Sequence, residues 1–95
     1  MAQSIEINGT TIAVEAQTID PNAPWILFSN SLATNMDIFE SQAKALGGCY
    51  NILRYDQRGH GGSSVTAQVD FDLLGADVLG LLDWFKIPSC VFVGL

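Results

Sequence analysis

Two short runs, Trp25-Ile26-Leu27-Phe28 and Asn51-Ile52-Leu53-Arg54-Tyr55, are rich in apolar residues without the alternation of a half-wet strand. A β-strand points successive side chains to opposite faces, so such a run is sensible only where both faces are covered. Helices packed on both sides of a mainly parallel sheet provide that cover. Each run is followed by a polar loop, residues 29–35 and 56–64, and then by a segment of helical character. A third run, from about Cys90 to Val93, repeats the pattern.

The remaining segments fit around these strands. Ile5-Glu6-Ile7 and Thr11-Ile12-Ala13-Val14-Glu15 flank Asn8-Gly9, the strongest short hairpin signal, because both turn residues must tolerate positive φ. Their alternation predicts one covered face and one wet face. Asp20-Pro21-Asn22-Ala23-Pro24 reads as a turn. A helix is expected from Met36 or Asp37 to Leu46, capped by Thr34, Asn35 or Asp37, with Gly47-Gly48 supplying a left-handed end. A second helix is expected from Phe71 to Phe85, with Asp70 as its cap and Pro88 barring continuation. Phe71, Leu74, Val78, Leu81, Leu82 and Phe85 form its apolar stripe, while Asp72, Asp77 and Asp83 fall elsewhere. Trp25 and Trp84 are expected in the core. The order is a hairpin and then β-α-β-α-β, an α/β architecture with a mostly parallel sheet. Ligands bind such sheets beyond the carboxyl ends of the strands. There the loops 29–35 and 56–64 meet whatever follows Gly94.

Composition narrows the function. The chain has 95 residues, of which 48% are apolar and 15% charged. That is a large demand for burial from so small a chain and suits one portion of a larger core. The formal charge is −6, and the only basic residues are Lys44, Arg54, Arg58 and Lys86. Nucleic acid and anionic membrane surfaces are therefore poor partners. No signal peptide and no membrane span is visible, and Cys49 and Cys90 read as reduced thiols, so a cytoplasmic location is expected.

Three groups of residues could carry chemistry. Ser29-Asn30-Ser31-Leu32 leaves a buried strand and enters a helix. It reads either as an ordinary capped connection or as a loop offering a backbone N–H to a developing oxyanion. Asp56-Gln57-Arg58-Gly59-His60-Gly61-Gly62-Ser63-Ser64 has the glycines of a phosphate loop but neither G-x-G-x-x-G nor a helix directly after it. His60 is the only histidine, so a metal site lacks ligands. Asp56 and His60 could form half of a catalytic triad, but the favoured reading is structural: Asp56 and Arg58 brace the loop, and Gly59 and Gly61 allow its sharp turn. Ser31, Ser63 and Ser64 lack a base. Finally, Gly94-Leu95 ends the third strand. Continued by Ser-x-Gly, it would complete G-x-S-x-G, the strained turn that lifts a nucleophilic serine above the sheet of an α/β-hydrolase.

Together these residues resemble the α/β-hydrolase superfamily. Leu27-Phe28-Ser29-Asn30-Ser31-Leu32-Ala33-Thr34-Asn35 is similar to the Ser-Asn-Ser-Leu-Gly-Thr loop of 3-oxoadipate enol-lactone hydrolases. Residues 54–64 resemble that family's Arg-Tyr-Asp-x-Arg-Gly-His-Gly-x-Ser run. Asp77-Val78-Leu79 with Leu81-Leu82-Asp83 resembles the helix before the elbow, and Gly94-Leu95 the start of Gly-Leu-Ser-Met-Gly-Gly. The resemblance covers essentially the whole chain. It implies residues 1–95 as the amino-terminal portion of one α/β-hydrolase core domain, ending at the nucleophile elbow.

The implied activity is hydrolysis of a carboxylic ester or lactone during aromatic-compound breakdown, with no metal or organic cofactor. The resemblance assigns Leu32 as an oxyanion donor through its backbone N–H. Asn30 and Ser31 shape that loop beside the substrate, and His60 is the loop's structural histidine and not the base. Ala33 stands where the family has Gly. Esterases, C–C hydrolases and cofactor-free haloperoxidases share these early motifs. The nucleophile, acid and base are expected beyond Leu95, so the chain alone is expected to be inactive, with an apolar sheet edge prone to pairing. The remainder of the hydrolase as a separate chain, a non-catalytic interaction protein and a flavodoxin- or Rossmann-like nucleotide binder are the other expectations.

Overall fold

A computed structural model of the chain describes residues 2–30, 34–65 and 70–94. The elements are β1 (Ala2–Ile7), β2 (Thr10–Gln17), β3 (Trp25–Ser29), a 3₁₀ turn (Met36–Phe39) leading into α1 (Glu40–Leu46), β4 (Asn51–Tyr55), α2 (Phe71–Trp84) and β5 (Val91–Gly94). They build one five-stranded sheet in the order β1-β2-β4-β3-β5. β1 with β2 and β2 with β4 are antiparallel, whereas β3 runs parallel to both β4 and β5. Asn8 and Gly9 take φ of 47° and 75°, the positive values that a tight hairpin turn requires, and Ile7 faces Thr10 across it.

The unbroken apolar strands divide their side chains between two layers. Leu27, Leu53 and Tyr55 join Ile5, Ile7, Ile12 and Val14 under Leu81 of α2. Ile26, Phe28 and Ile52 point the other way, onto Phe39 and Ala43. The Phe28 and Phe39 rings lie 4.8 Å apart and tilted, a contact worth about 0.5–1.5 kcal/mol beyond its buried area. Arg54, the charged residue within β4, is buried; its guanidinium reaches Glu15 at 3.0 Å and Glu40 at 3.4 Å. Its Nε has no partner among the described residues.

Several expectations are corrected. The hairpin is wet on one face only along β1, where Ser4 and Glu6 are exposed opposite the buried Ile5 and Ile7. In β2, Ala13 is buried because the loop 56–64 folds back over it: Ala13 N–H donates to Ser63 Oγ at 2.9 Å and Asp56 N–H donates to Ala13 O at 2.9 Å. Of the caps expected at Thr34, Asn35 or Asp37, Asn35 is the one in place, but it caps the 3₁₀ turn that precedes α1, its side chain accepting from Asp37 N–H. Gly47 does not end α1 in a left-handed conformation; its φ is −65°, and the chain turns away through Cys49 and Tyr50 N–H groups donating to Leu46 O. Asp77 lies off the apolar stripe of α2 yet is buried, while Phe71 on that stripe is 91% exposed and Trp84 is 54% exposed. Periodicity says which way a helix face points, but not how far a partner surface extends along it.

The end of α2 is set by a left-handed residue and not by Pro88 alone. Lys86 has φ of 56°, and Ile87 N–H donates to Leu82 O while Lys86 N–H donates to Asp83 O. These paired bonds close a Schellman cap and bury Ile87 beside Leu82. An L side chain is penalised in this conformation by about 1–2 kcal/mol, and glycine is not. Lys86→Gly is therefore expected to raise the unfolding free energy by about 0.5–1 kcal/mol after glycine's extra chain entropy is deducted, measured by the denaturant midpoint.

Candidate functional site

The loops that leave β3 and β4 meet at the carboxyl end of the sheet, beside the last residue of β5. Their contact begins within the strands: Ser29 pairs with Tyr55 in register, and Ser29 also pairs with Gly94. The Ser29 and Tyr55 hydroxyls share a hydrogen bond of 2.9 Å, both side chains being buried. Burial pushes the Tyr55 hydroxyl above its usual value; the Ser29 bond opposes that, and the charge of Asp77 adds to it. One residue further along, Asn30 is fully buried. Its Oδ1 accepts from Gln57 N–H at 2.9 Å, and its Nδ2 donates to Thr34 O at 3.0 Å. The side chain of Asn30 is thus engaged within the protein, organising both ends of the loop 30–34.

Asp56 joins the same two loops from the other side. Its Oδ1 accepts from Met36 N–H at 2.7 Å, at the entry to the 3₁₀ turn, and its Oδ2 accepts from Gly62 N–H at 2.8 Å. Gly61, with φ of 48°, passes so close to this carboxylate that a Cβ there would strike it. Gly59 also takes positive φ, 82°. His60 turns its Nδ1 to Arg58 O at 3.3 Å. Ser63 Oγ donates to Asp56 O at 2.6 Å and accepts from Ala13 N–H, so both roles of its hydroxyl are engaged structurally. Ser31, Leu32 and Leu95 lie outside the described residues.

Arg58 reaches across to α2. Its Nε and Nη2 donate to Asp77 Oδ2 and Oδ1, each at 2.7 Å, in a forked pair between side chains 4% and 2% exposed. The adjacent Asp77 carboxylate pushes the guanidinium further above its usual range. Asn8 completes the junction: its Nδ2 donates to Asp77 Oδ1 at 3.3 Å, and its carbonyl accepts from Arg58 Nη2 at 3.3 Å. One buried ion pair therefore connects the glycine loop, α2 and the hairpin turn.

Sequence reasoning missed three contributors: Asp77, Tyr55 and Gln57. Asp77 falls off the apolar stripe and reads as a solvent residue. Tyr55 reads as a strand apolar, and Gln57 occupies the open position of the motif. Beyond the strand ends lies an open cleft of about 330 Å³, with Ser29, Tyr55 and Gln57 as its polar wall and Phe71, Leu74, Val78 and Phe92 as its apolar one. Among the described residues no group of three acidic, histidine or cysteine side chains could hold a metal ion, and no helix is long and apolar enough to cross a membrane.

This sheet order, with helices on both faces and loops gathered at the carboxyl ends, is the amino-terminal part of the α/β-hydrolase fold. Within that class the chain resembles the 3-oxoadipate enol-lactonases. It is 40% identical over 87 residues to 3-oxoadipate enol-lactonase 1 of Acinetobacter baylyi, covering 92% of this chain and 32% of the relative. It is 36% identical over 95 residues to enol-lactonase 2 of the same organism, covering 99% of this chain and 33% of the relative. The crystal structure of the enol-lactonase from Burkholderia xenovorans superposes with a TM-score of 0.93 at 39% identity, over 98% of this chain and 36% of that one. The chain thus spans about a third of the length of the curated relatives it matches. No family model matches it.

Two outcomes follow from this geometry. Asp77→Ala leaves Arg58 buried without its counter-charge and is expected to cost about 3–5 kcal/mol of stability; the paired change Arg58→Met with Asp77→Leu is expected to cost much less. Urea denaturation of the three proteins checks both. For Tyr55, the folded value lies above the ordinary 10.0, so through the window between them the unfolded chain loses a proton that the folded chain keeps. Stability should fall as pH rises through that window, and Tyr55→Phe should flatten the fall; denaturation midpoints between about pH 8 and about pH 11 test this.

Proposed function

We propose that this chain is the amino-terminal portion of a serine hydrolase that opens a carboxylic ester or lactone, with a 3-oxoadipate enol-lactone as its substrate. The observation that carries the reading is the junction of the loops 29–35 and 56–64 at the carboxyl ends of β3 and β4, directly beside Gly94 at the end of β5. The names and coverage of the enol-lactonase relatives support the substrate class.

In this reading a serine following Gly94-Leu95 stands on the turn after β5 and attacks the substrate carbonyl. Negative charge then grows on the carbonyl oxygen, and the backbone N–H of Leu32 is one of the donors that meet it. Such donors act because they are already oriented when the charge appears, and losing one costs about 10²–10³ in kcat. Collapse of the tetrahedral adduct expels the ring oxygen, which takes a proton from the histidine that received the serine's. Water then cleaves the acyl-enzyme by the reverse use of the same groups. In this reading His60 is the loop's structural histidine, a role supported by its Nδ1 lying 3.3 Å from Arg58 O within its own loop. The reaction needs no cofactor, and its partner is a small molecule.

The open edge of β5, where Val91 and Phe92 are more than half exposed, favours a second reading, a non-catalytic interaction module built from this part of the fold. One experiment separates the two. The coding sequence after Leu95 is expected to continue Ser-x-Gly, and the protein from the complete reading frame to hydrolyse an enol-lactone or an activated ester. Residues 1–95 alone are expected to show no turnover. Esterase activity in residues 1–95, abolished by a substitution within them, would overturn the first reading; a stop codon directly after Leu95 with a folded, inactive product would favour the second.

A further inference from the structure

We infer that Gln57 is a positioning residue for this site: it sets the direction in which the chain leaves β3 at Ser29 and Asn30, and through Asn30 it holds Thr34 on the far side of the loop. The inference rests on the hydrolase reading above and adds a residue that neither the motif nor the resemblance assigns. Gln57 stands between Asp56 and Arg58, at the position the family run leaves open.

Its contacts converge on two consecutive residues. Gln57 N–H donates to Asn30 Oδ1 at 2.9 Å. Its Nε2 donates to Asn30 O at 2.7 Å and to Ser29 Oγ at 3.0 Å. One glutamine thus supplies a main-chain donor to the side chain of Asn30 and a side-chain donor to its main chain. A carbonyl held at 2.7 Å fixes its peptide plane, because the peptide unit is rigid. Asn30 passes the constraint onward through its Nδ2 bond to Thr34 O. The glutamine is itself held from both sides. Arg58, the next residue, is locked to Asp77, and Asp56, the one before, is tied to Met36 and Gly62. The Ser29 hydroxyl that accepts from Gln57 is in turn bonded to Tyr55.

The chemistry selects a donor at this position, which the amide supplies without bringing in a charge. Asn30 O can only accept, so its partner must donate. A carboxylate there would set negative charge against a carbonyl, and an aliphatic chain would leave Asn30 O without this bond. Ser29 and Tyr55 can each donate or accept, so the hydroxyl pair adapts to whatever donor faces it. Gln57 is half-buried and stands in the polar wall of the cleft, where its role is to hold Ser29 and Asn30 in place.

The test uses the protein from the complete reading frame. Gln57→Met keeps the size and flexibility of the side chain and removes its donor. It is expected to lower kcat about ten- to a hundredfold on an activated ester while KM stays within about twofold, the signature of misplaced groups and not of lost substrate binding. Gln57→Glu is expected to lower kcat at least as far. Hydrogen exchange in the peptide spanning residues 29–36 should accelerate about tenfold in Gln57→Met, with exchange in β2 and α2 unchanged. A kcat equal to that of the parent, or exchange that speeds equally everywhere, would overturn the inference. If the parent itself hydrolyses no ester, the hydrolase reading fails and the exchange arm still decides whether Gln57 positions the loop.

Discussion

Arg58 and Asp77 are removed almost entirely from water, and the upper half of the structure is organised around their pairing. Taking either charge alone into the interior costs several kcal/mol, so neither side chain is tolerable there without the other. The forked geometry, two bonds of 2.7 Å, satisfies the carboxylate and fixes the guanidinium plane. Because Arg58 belongs to the loop after β4, Asp77 to α2 and Asn8 to the hairpin turn, one interaction sets three elements against each other. A well-packed apolar pair could give equal stability. What the ion pair adds is direction, since only one placement of the loop meets both oxygens of Asp77.

With that side of the loop held, Asp56 and Gln57 are presented to the neighbouring loop. Asp56 collects the start of the 3₁₀ turn and the Gly61-Gly62 corner, and Gln57 collects Ser29 and Asn30. The carboxyl end of the sheet is therefore joined by hydrogen bonds to named atoms, where the layers below are joined by apolar contact. This division is physically reasonable. Apolar packing tolerates small displacements at little cost, whereas a donor aimed at a developing charge must be placed to within a fraction of an ångström.

Much of the architecture was legible in the residues. The non-alternating runs 25–28 and 51–55 announced strands covered on both faces, and each divides its side chains between α1 and α2. Asn8-Gly9 announced the hairpin, and Asp70 the start of α2, where its side chain accepts from Leu73 N–H at 2.7 Å. These features are local, so propensity and pattern suffice. The missed features depend on contacts between distant parts of the chain. Ala13 is buried by a loop some fifty residues later, as its bond to Ser63 shows. Lys86 accepts a left-handed conformation because Ile87 gains a buried place beside Leu82, and no rule of preference would put a lysine there.

The sequence by itself determined the strand and helix order, the two-layered core and the general end of the sheet at which a site must lie. It did so because burial on two faces writes a readable pattern into each strand. Only the tertiary structure decided which polar residues organise that site. Asp77, Tyr55 and Gln57 carry no periodic signal, and the motif likeness at Tyr55 and Asp77 does not name their partners, since a buried polar group is defined by its partner, and the partners lie 19, 26 and 27 residues away. Apolar burial is a property of a residue type and can be read locally; polar satisfaction is a property of a pair and appears only when the chain has folded.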